Sequence, residues 1–232
     1  MKNVKIAVLN YSGNVGKTTI AKHLLLPRMS NAKWLPVESI NEGGDAAVNF
    51  KGKEFAKVLN EVMSLGSVVV DIGSSNIEQV FVQLKTLKSA HEEFDFFIVP
   101  TVPAEKQQAD TAKIIADLLD MDVEPEKIKV VFNQVPHDDD PVKVFKRLTD
   151  ILMPMGVLLD SSIVMRESEI YSSLAKNQTI DDAIASGRDF KTELDAETDM
   201  DKRRAIASDR IHSRMAKGVK IELDAVFKSL FQ

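Results

Sequence analysis

The sequence predicts an α/β domain, a doubly wound and mostly parallel β-sheet, followed by a C-terminal helical extension. Three observations carry this. Short apolar runs rich in Val, Ile and Phe alternate with longer segments of helical periodicity, the pattern of a parallel sheet covered on both faces. The first run passes through a short Gly- and Asn-containing stretch straight into a helix-compatible segment. A chain of 232 residues, 44% hydrophobic and 28% charged, can bury one sizeable core.

In chain order, the apolar runs place strands at residues 4–9, 34–38, 67–72, 94–99, 127–132 and 156–159. The periodic segments between them place helices near 18–29, 54–64, 77–91, 104–119 and 142–153. Pro100 and Pro103 mark a stiff loop that ends pairing after the fourth strand. Asp138, Asp139 and Asp140 read as a solvated loop before the helix-starting Pro141, because adjacent side chains diverge and lack the spaced oxygen cage a hard cation needs. No internal repeat or low-complexity tract interrupts the pattern.

Composition narrows the chemistry. There is no cysteine, so disulfides, thiolate metal sites and a cysteine nucleophile are excluded, and four scattered histidines offer no zinc-ligand spacing. No apolar run reaches the length of a membrane span and the N-terminus reads as a strand, so a cytoplasmic protein is expected. The net charge of -5 argues against a uniformly basic nucleic-acid binder, although a mean can hide a local patch.

The first carrier of chemistry is the run Asn10, Tyr11, Ser12, Gly13, Asn14, Val15, Gly16, Lys17, Thr18, Thr19 between the first strand and the first helix. It reads as a phosphate-binding loop: glycines let backbone N–H groups curl around an anion, and the helix N-terminus adds its positive end. Lys17 then reaches the outer phosphates while Thr18 ligates magnesium. The second carrier is Asp71, which ends the buried run Val68, Val69, Val70 and looks like a Walker B aspartate holding magnesium; the plain alternative is an Asp that caps the turn before Gly73.

These residues resemble the ParA/MinD superfamily of P-loop ATPases, which position bacterial cargo. Asn10, Gly13, Val15, Gly16, Lys17, Thr18 and Thr19 match its loop pattern, whereas the family's signature lysine is Ser12 here and its second glycine is Asn14. In the family that lysine crosses the dimer interface to the phosphates of the opposite subunit. Ser12 could at most donate a hydrogen bond within its own subunit and supplies no charge, which puts fast turnover and ATP-dependent dimerisation in question. Asn14 tolerates the left-handed backbone that a glycine would adopt.

The resemblance further implies that Glu38 positions the attacking water, with Asp45 as a lesser candidate; a solvated strand-end carboxylate is the other reading of Glu38. It implies that Asn133 reads the adenine ring, the alternative being an Asn that satisfies loop backbone at a strand exit. Residues 158–179 are similar to the family's closing strand, loop and helix beside the base, with Arg166 expected to pair structurally with Glu167 or Glu169.

The C-terminal segment differs in character. Between residues 202 and 220, Lys202, Arg203, Arg204, Arg210, Arg214, Lys217 and Lys220 face Asp209 alone, an electrostatic footprint suited to DNA phosphates without base reading; pairing with acidic surface is the alternative. Beyond it, Leu223, Val226, Phe227, Leu230 and Phe231 form an amphipathic stripe. Glu222 and Asp224 offset Lys220 and Lys228, which favours docking on a core or a dimer contact over membrane binding.

The division expected from composition is a nucleotide-binding domain over 1–195 and a basic, amphipathic helical extension over 196–232. The nearest resemblance is to StbB-type plasmid stability proteins, which implies an ATP- and Mg2+-dependent plasmid partition or positioning factor with slow hydrolysis. It also implies a DNA-binding partner protein of the same system, an ATP-dependent homodimer and a nucleoid-associated place in a bacterial cytoplasm. A nucleotide switch without significant hydrolysis and a metabolic P-loop enzyme of related fold are the alternatives.

Overall fold

The computed structural model describes residues 1–38, 54–175, 178–184 and 187–232. Six strands form one sheet in the order β2-β3-β1-β4-β5-β6. They are β1 (Lys5–Val8), β2 (Lys33–Val37), β3 (Val68–Ile72), β4 (Phe96–Thr101), β5 (Ile128–Val135) and β6 (Val164–Arg166), and every pairing is parallel. Each crossover then requires a helix: α1 (Lys17–Thr19), α2 (Phe55–Ser64), α3 (Ile77–Thr86), α4 (Glu105–Leu119), α5 (Pro141–Val144) and α6 (Lys146–Leu152). The expected fold class is the one observed.

Helical periodicity explains the packing. α2 buries Phe55, Val58, Leu59 and Val62, spaced three and four apart, and α4 buries Thr111, Ile114, Ile115 and Leu118 in the same way. β3 is buried at all five positions, as expected of an inner parallel strand. Phe132 and Phe145 stack with ring centroids 4.1 Å apart, joining β5 to the residue between α5 and α6.

The structure corrects the sequence reading at several element bounds. The helix expected at 18–29 is α1 continued by a π-helical stretch, Ile20–Leu25, and a 3-10 turn, Leu26–Arg28. Pro27 cannot donate to the His23 carbonyl, and Arg28 Nη1 does so instead at 2.8 Å. The helix expected to run to residue 91 stops at Thr86, and a 3-10 turn, Ala90–Glu93, follows Ser89 in the left-handed conformation. β4 runs through Pro100 to Thr101. The Pro100 carbonyl faces the side where β1 has already ended and accepts from Asn10 Nδ2 at 2.8 Å, so the missing N–H on that side interrupts no ladder. Pro36 is tolerated in β2 because β2 is an edge strand.

The strand expected at 156–159 does not form. Gly156, at φ 81, donates to Met153 O and Val157 donates to Leu152 O, the paired bonds of a helix-ending Schellman motif. Val157 is the apolar residue that seals such a motif, and Leu158 is exposed. The sixth strand lies later, at Val164–Arg166, within the segment likened to a closing strand, loop and helix. Arg166 Nη1 ties down the loop after β5, donating to Pro136 O at 2.7 Å and Asp139 O at 2.8 Å. Asp140 caps α5 through its side chain, with Pro141 at the first helical position, as anticipated for this loop.

Beyond β6 lie α7 (Ile170–Ser173), α8 (Ile180–Ala183), α9 (Phe190–Ala196) and α10 (Met200–Leu230). The chain divides into two compact units, residues 1–167 with 226–232, and residues 168–225. In the first, Phe231 meets Phe96 edge-on at 5.0 Å, so the end of the apolar stripe docks on a core, as expected. In the second, α10 buries Ser213, Ala216, Val219 and Leu223 at helical spacing, and Lys220 pairs with Asp181 at 2.5 Å. Among the described residues no helix is long and apolar enough to cross a membrane.

Candidate functional site

The site lies at the carboxyl ends of the central strands, where β1 opens into the loop of residues 9–16. Gly16 adopts φ 85 and Asn14 φ 56, so two left-handed residues flank Val15 and curl the loop. The helical segment that begins at Lys17 has no side-chain cap, which leaves its first N–H groups directed at the loop mouth. The two glycines are not equivalent. A Cβ on Gly13 would meet only Ser74 Oγ at 3.7 Å, whereas one on Gly16 would stand 2.0 Å from Asn133 Nδ2.

Lys17 is 8% exposed, and its Nζ donates to Ser12 O at 2.6 Å and Asn10 O at 3.3 Å. Burial lowers its pKa from 10.5 to about 8, against the pull of Asp71 and Glu38, whose charges favour the ammonium. A lysine depressed in the folded state binds fewer protons there than in the unfolded chain between those two values. The stability it contributes is present at high pH and is lost as pH falls through about 8. Lys17→Met is expected to flatten that part of the curve of unfolding free energy against pH, read by denaturant titration.

Beside it, Thr18 Oγ1 donates to Asp71 Oδ2 at 2.7 Å, and Asp71 is 1% exposed at the end of β3. Burial pushes the Asp71 carboxyl up, the Thr18 hydrogen bond holds it down, and the nearby Glu38 charge pushes it up again. The Trp34 indole N–H is buried without a hydrogen bond of full geometry, yet it lies near enough to Asp71 to favour the carboxylate. Hydroxyl and carboxylate oxygens together form a hard donor pair that fits magnesium, which takes one or two protein ligands and completes its shell with phosphate and water. No cluster of three or more His, Cys, Asp or Glu able to hold a metal occurs among the described residues, so a metal here would need ligand oxygens as well.

Glu38 follows β2 and is exposed, and its charge is felt by both Lys17 and Asp71. A Cβ on Gly73 would come within 3.5 Å of its Cγ, which places it over the β3 exit. Asp45 lies outside the described residues.

Three consecutive loop residues hang on α4, a feature the linear sequence did not reveal. Asn10 Nδ2 donates to Thr111 Oγ1 at 2.9 Å, Tyr11 Oη to Asp117 Oδ2 at 2.5 Å and Ser12 Oγ to Asp110 Oδ2 at 2.5 Å. Burial and Asp117 push the Tyr11 hydroxyl well above its ordinary range. Tyr11 also packs on Phe81, 5.9 Å between centroids, with Lys113 Nζ 4.7 Å over its ring. The one hydrogen bond that the Ser12 hydroxyl could donate within its own subunit is thus turned onto a carboxylate.

On the other side, Asn133 Nδ2 donates to Val15 O at 2.9 Å and Gln134 Nε2 to Asn14 O at 3.1 Å. The structure therefore gathers Gly13, Asn14, Val15, Gly16, Lys17, Thr18, Asp71, Glu38 and Asn133 around one loop, while Thr19 lies in the first helical turn behind it. Asp110, Asp117 and Gln134 join them with no local signal except that Gln134 adjoins Asn133.

The basic residues belong mainly to the second unit. A cleft of about 250 Å³ is lined by Arg188, Lys191, Arg210, Arg214 and Lys217, with Asp189 the acidic residue among its lining. Arg188 is already paired with Glu193 at 2.6 Å and Asp209 at 2.7 Å. Arg203 is turned onto the carbonyls of Leu194 and Glu197, and Arg204 pairs with Asp201 at 3.0 Å. Of the seven predicted DNA-facing residues, Lys220 pairs with Asp181, whereas Lys202, Arg210, Arg214 and Lys217 make no side-chain hydrogen bond or ion pair among the described residues, and Lys191 joins the last three in the cleft.

No family model and no curated protein matches the sequence. Solved structures do match the fold. Apo McdA of Cyanothece aligns with a TM-score of 0.53 at 10% identity, covering 98% of this chain and 99% of that one. The ATP complex of a singly substituted Cyanothece McdA aligns with a TM-score of 0.50 at 11% identity, covering 95% and 96%. The MinC:MinD cell division protein complex of Aquifex aeolicus aligns over 73% of this chain and 84% of that one, with a TM-score of 0.48 at 13% identity. At the identity of the two McdA matches, what is shared is the fold, a parallel sheet flanked by helices.

Proposed function

We propose that this chain is an ATP-dependent positioning factor of the ParA/MinD type, most like StbB-type plasmid partition proteins, with slow hydrolysis. The observation that carries the reading is the Thr18–Asp71 contact of 2.7 Å beside a buried Lys17 under an uncapped helix start. Nucleotide phosphates seated on residues 13–19 would draw Lys17 Nζ from the Ser12 and Asn10 carbonyls onto their oxygens. Thr18 and Asp71 would hold Mg2+, which neutralises charge on the phosphates during transfer. Glu38, the exposed carboxylate at the β2 exit, would orient the attacking water. ATP as the nucleotide is supported by the McdA neighbour described with ATP bound.

Slow turnover follows from Ser12, which brings no positive charge and whose hydroxyl already donates to Asp110. The same contact favours a second reading, a nucleotide switch that binds without significant hydrolysis. Steady-state phosphate release from ATP and Mg2+ separates the two: turnover that requires Lys17 supports the ATPase, and tight binding without turnover supports the switch.

A further outcome follows from Lys17. With its pKa near 8, part of the population is neutral at about pH 8.5, and a bound phosphate would restore the ammonium. Calorimetry of ATP binding at that pH, in buffers of different ionisation enthalpy, is expected to show net proton uptake that is missing in Lys17→Met.

Lys191, Arg210, Arg214 and Lys217 of the second unit would grip DNA phosphates without sequence preference, with a DNA-binding partner protein and a homodimer completing the system in a bacterial cytoplasm. Replacing Arg210, Arg214 and Lys217 by Gln is expected to weaken duplex binding uniformly across sequences. The slope of log affinity against log salt should become shallower by about 0.9 for each phosphate that is no longer neutralised. An unchanged slope in a filter-binding titration would remove the cleft from the DNA-binding surface.

A further inference from the structure

We infer that Asn133 and Gln134 are positioning residues that set the direction of the phosphate-loop N–H groups, acting on the phosphates of any nucleotide through the loop and not on the base. The inference rests on the phosphate-loop reading above and adds to it how the loop is held.

Successive side chains of a strand point to opposite faces, so two neighbours in β5 should not both reach one loop. Here they do, because the ladder with β6 is in register at Phe132 and Val135 and breaks between them, and Gln134 takes φ 53. That break is a local turn of the strand, of the kind that re-aims side chains beside functional sites. It sends Asn133 Nδ2 to the Val15 carbonyl and Gln134 Nε2 to the Asn14 carbonyl, at 2.9 and 3.1 Å.

Those two carbonyls matter because a trans peptide is planar, with its C=O and the next N–H pointing opposite ways. Holding Asn14 O toward β5 turns the Val15 N–H away from it, and holding Val15 O does the same for the Gly16 N–H. These are the donors with which a loop of this kind encloses an anion. Asn133 is 3% exposed, and a Cβ on Gly16 would stand 2.0 Å from its Nδ2, so the loop backbone lies directly on the amide. A side chain so placed has one of its two amide N–H groups bonded to the loop whatever base a nucleotide carries.

The test uses the full chain with Mg2+ and three ligands, ATP, GTP and inorganic tripolyphosphate, with affinities measured by calorimetry for the native protein, Asn133→Ala and Gln134→Ala. Each variant is expected to weaken all three ligands by a similar factor, roughly tenfold, because a loop carbonyl loses its donor. The ratio of ATP to GTP affinity should stay at the native value. Weaker ATP with unchanged tripolyphosphate would overturn the inference in favour of base reading, and unchanged affinity for all three would overturn it outright. Should Asn133→Ala fail to show a native unfolding transition, Gln134→Ala decides alone, since Gln134 is exposed. If the native chain binds none of the three, the phosphate-loop reading itself falls, an outcome distinct from native binding that the variants leave unaffected.

Discussion

Lys17→Ala is expected to lower phosphate release from ATP by about 10²–10³-fold, the usual cost of removing one preorganised charge from a transition state. The geometry explains why so much depends on one side chain. Lys17 is the cation buried beneath the loop, and Ser12 stands where the resemblance expects a second lysine. With Ser12 hydrogen-bonded to Asp110, nothing at that position substitutes for the lost ammonium. Trp34, the single tryptophan, carries Lys22 Nζ 4.2 Å over its ring and lies near Asp71, so its fluorescence can report occupancy of the site independently of turnover. Phosphate release that persists in Lys17→Ala, with a normal Trp34 response to ATP, would remove Lys17 from the chemistry.

Gly16→Ala should both destabilise the fold and remove nucleotide binding. At φ 85 an L-residue carries a left-handed penalty of about 1–2 kcal/mol, and the new Cβ would press on Asn133 Nδ2 at 2.0 Å. Overpacking adds about 1–3 kcal/mol, because Asn133 is buried and hydrogen-bonded and cannot simply swing aside. A total of about 3 kcal/mol corresponds to a fall in melting temperature of roughly 10 °C for a chain of this size. Gly13→Ala is the control: its Cβ would make only an ordinary contact with Ser74, so stability should stay within about 0.5 kcal/mol of native. Equal effects at the two positions in a thermal unfolding series would contradict the distinction.

Much of the fold was legible because its determinants are local. β3 is a continuous buried run, α2 and α4 repeat their apolar residues every three or four positions, and the strand-loop-helix order around Lys17 is written in ten consecutive residues. Where the reading slipped, a short-range cue had two meanings. The apolar run after Gly156 looks like a strand but serves a helix cap, a difference set by the left-handed glycine and its two hydrogen bonds. Pro100 looked like the end of pairing, yet its missing N–H faces the gap left by β1. In the basic segment, charge counting could not tell Arg203, spent on backbone carbonyls, from Arg214, which lines an open cleft.

The amino-acid order therefore decided the elements and the identity of the loop, Lys17, Thr18 and Asp71, because periodicity, glycine placement and strand composition act over a few residues. Folding in space decided how the loop is held. Asp110, Thr111 and Asp117 reach it from about a hundred positions away, and Asn133 and Gln134 from 118 and 120. Which side chain meets which carbonyl at that separation depends on sheet order and on a register break in β5, and no local pattern of residues encodes either.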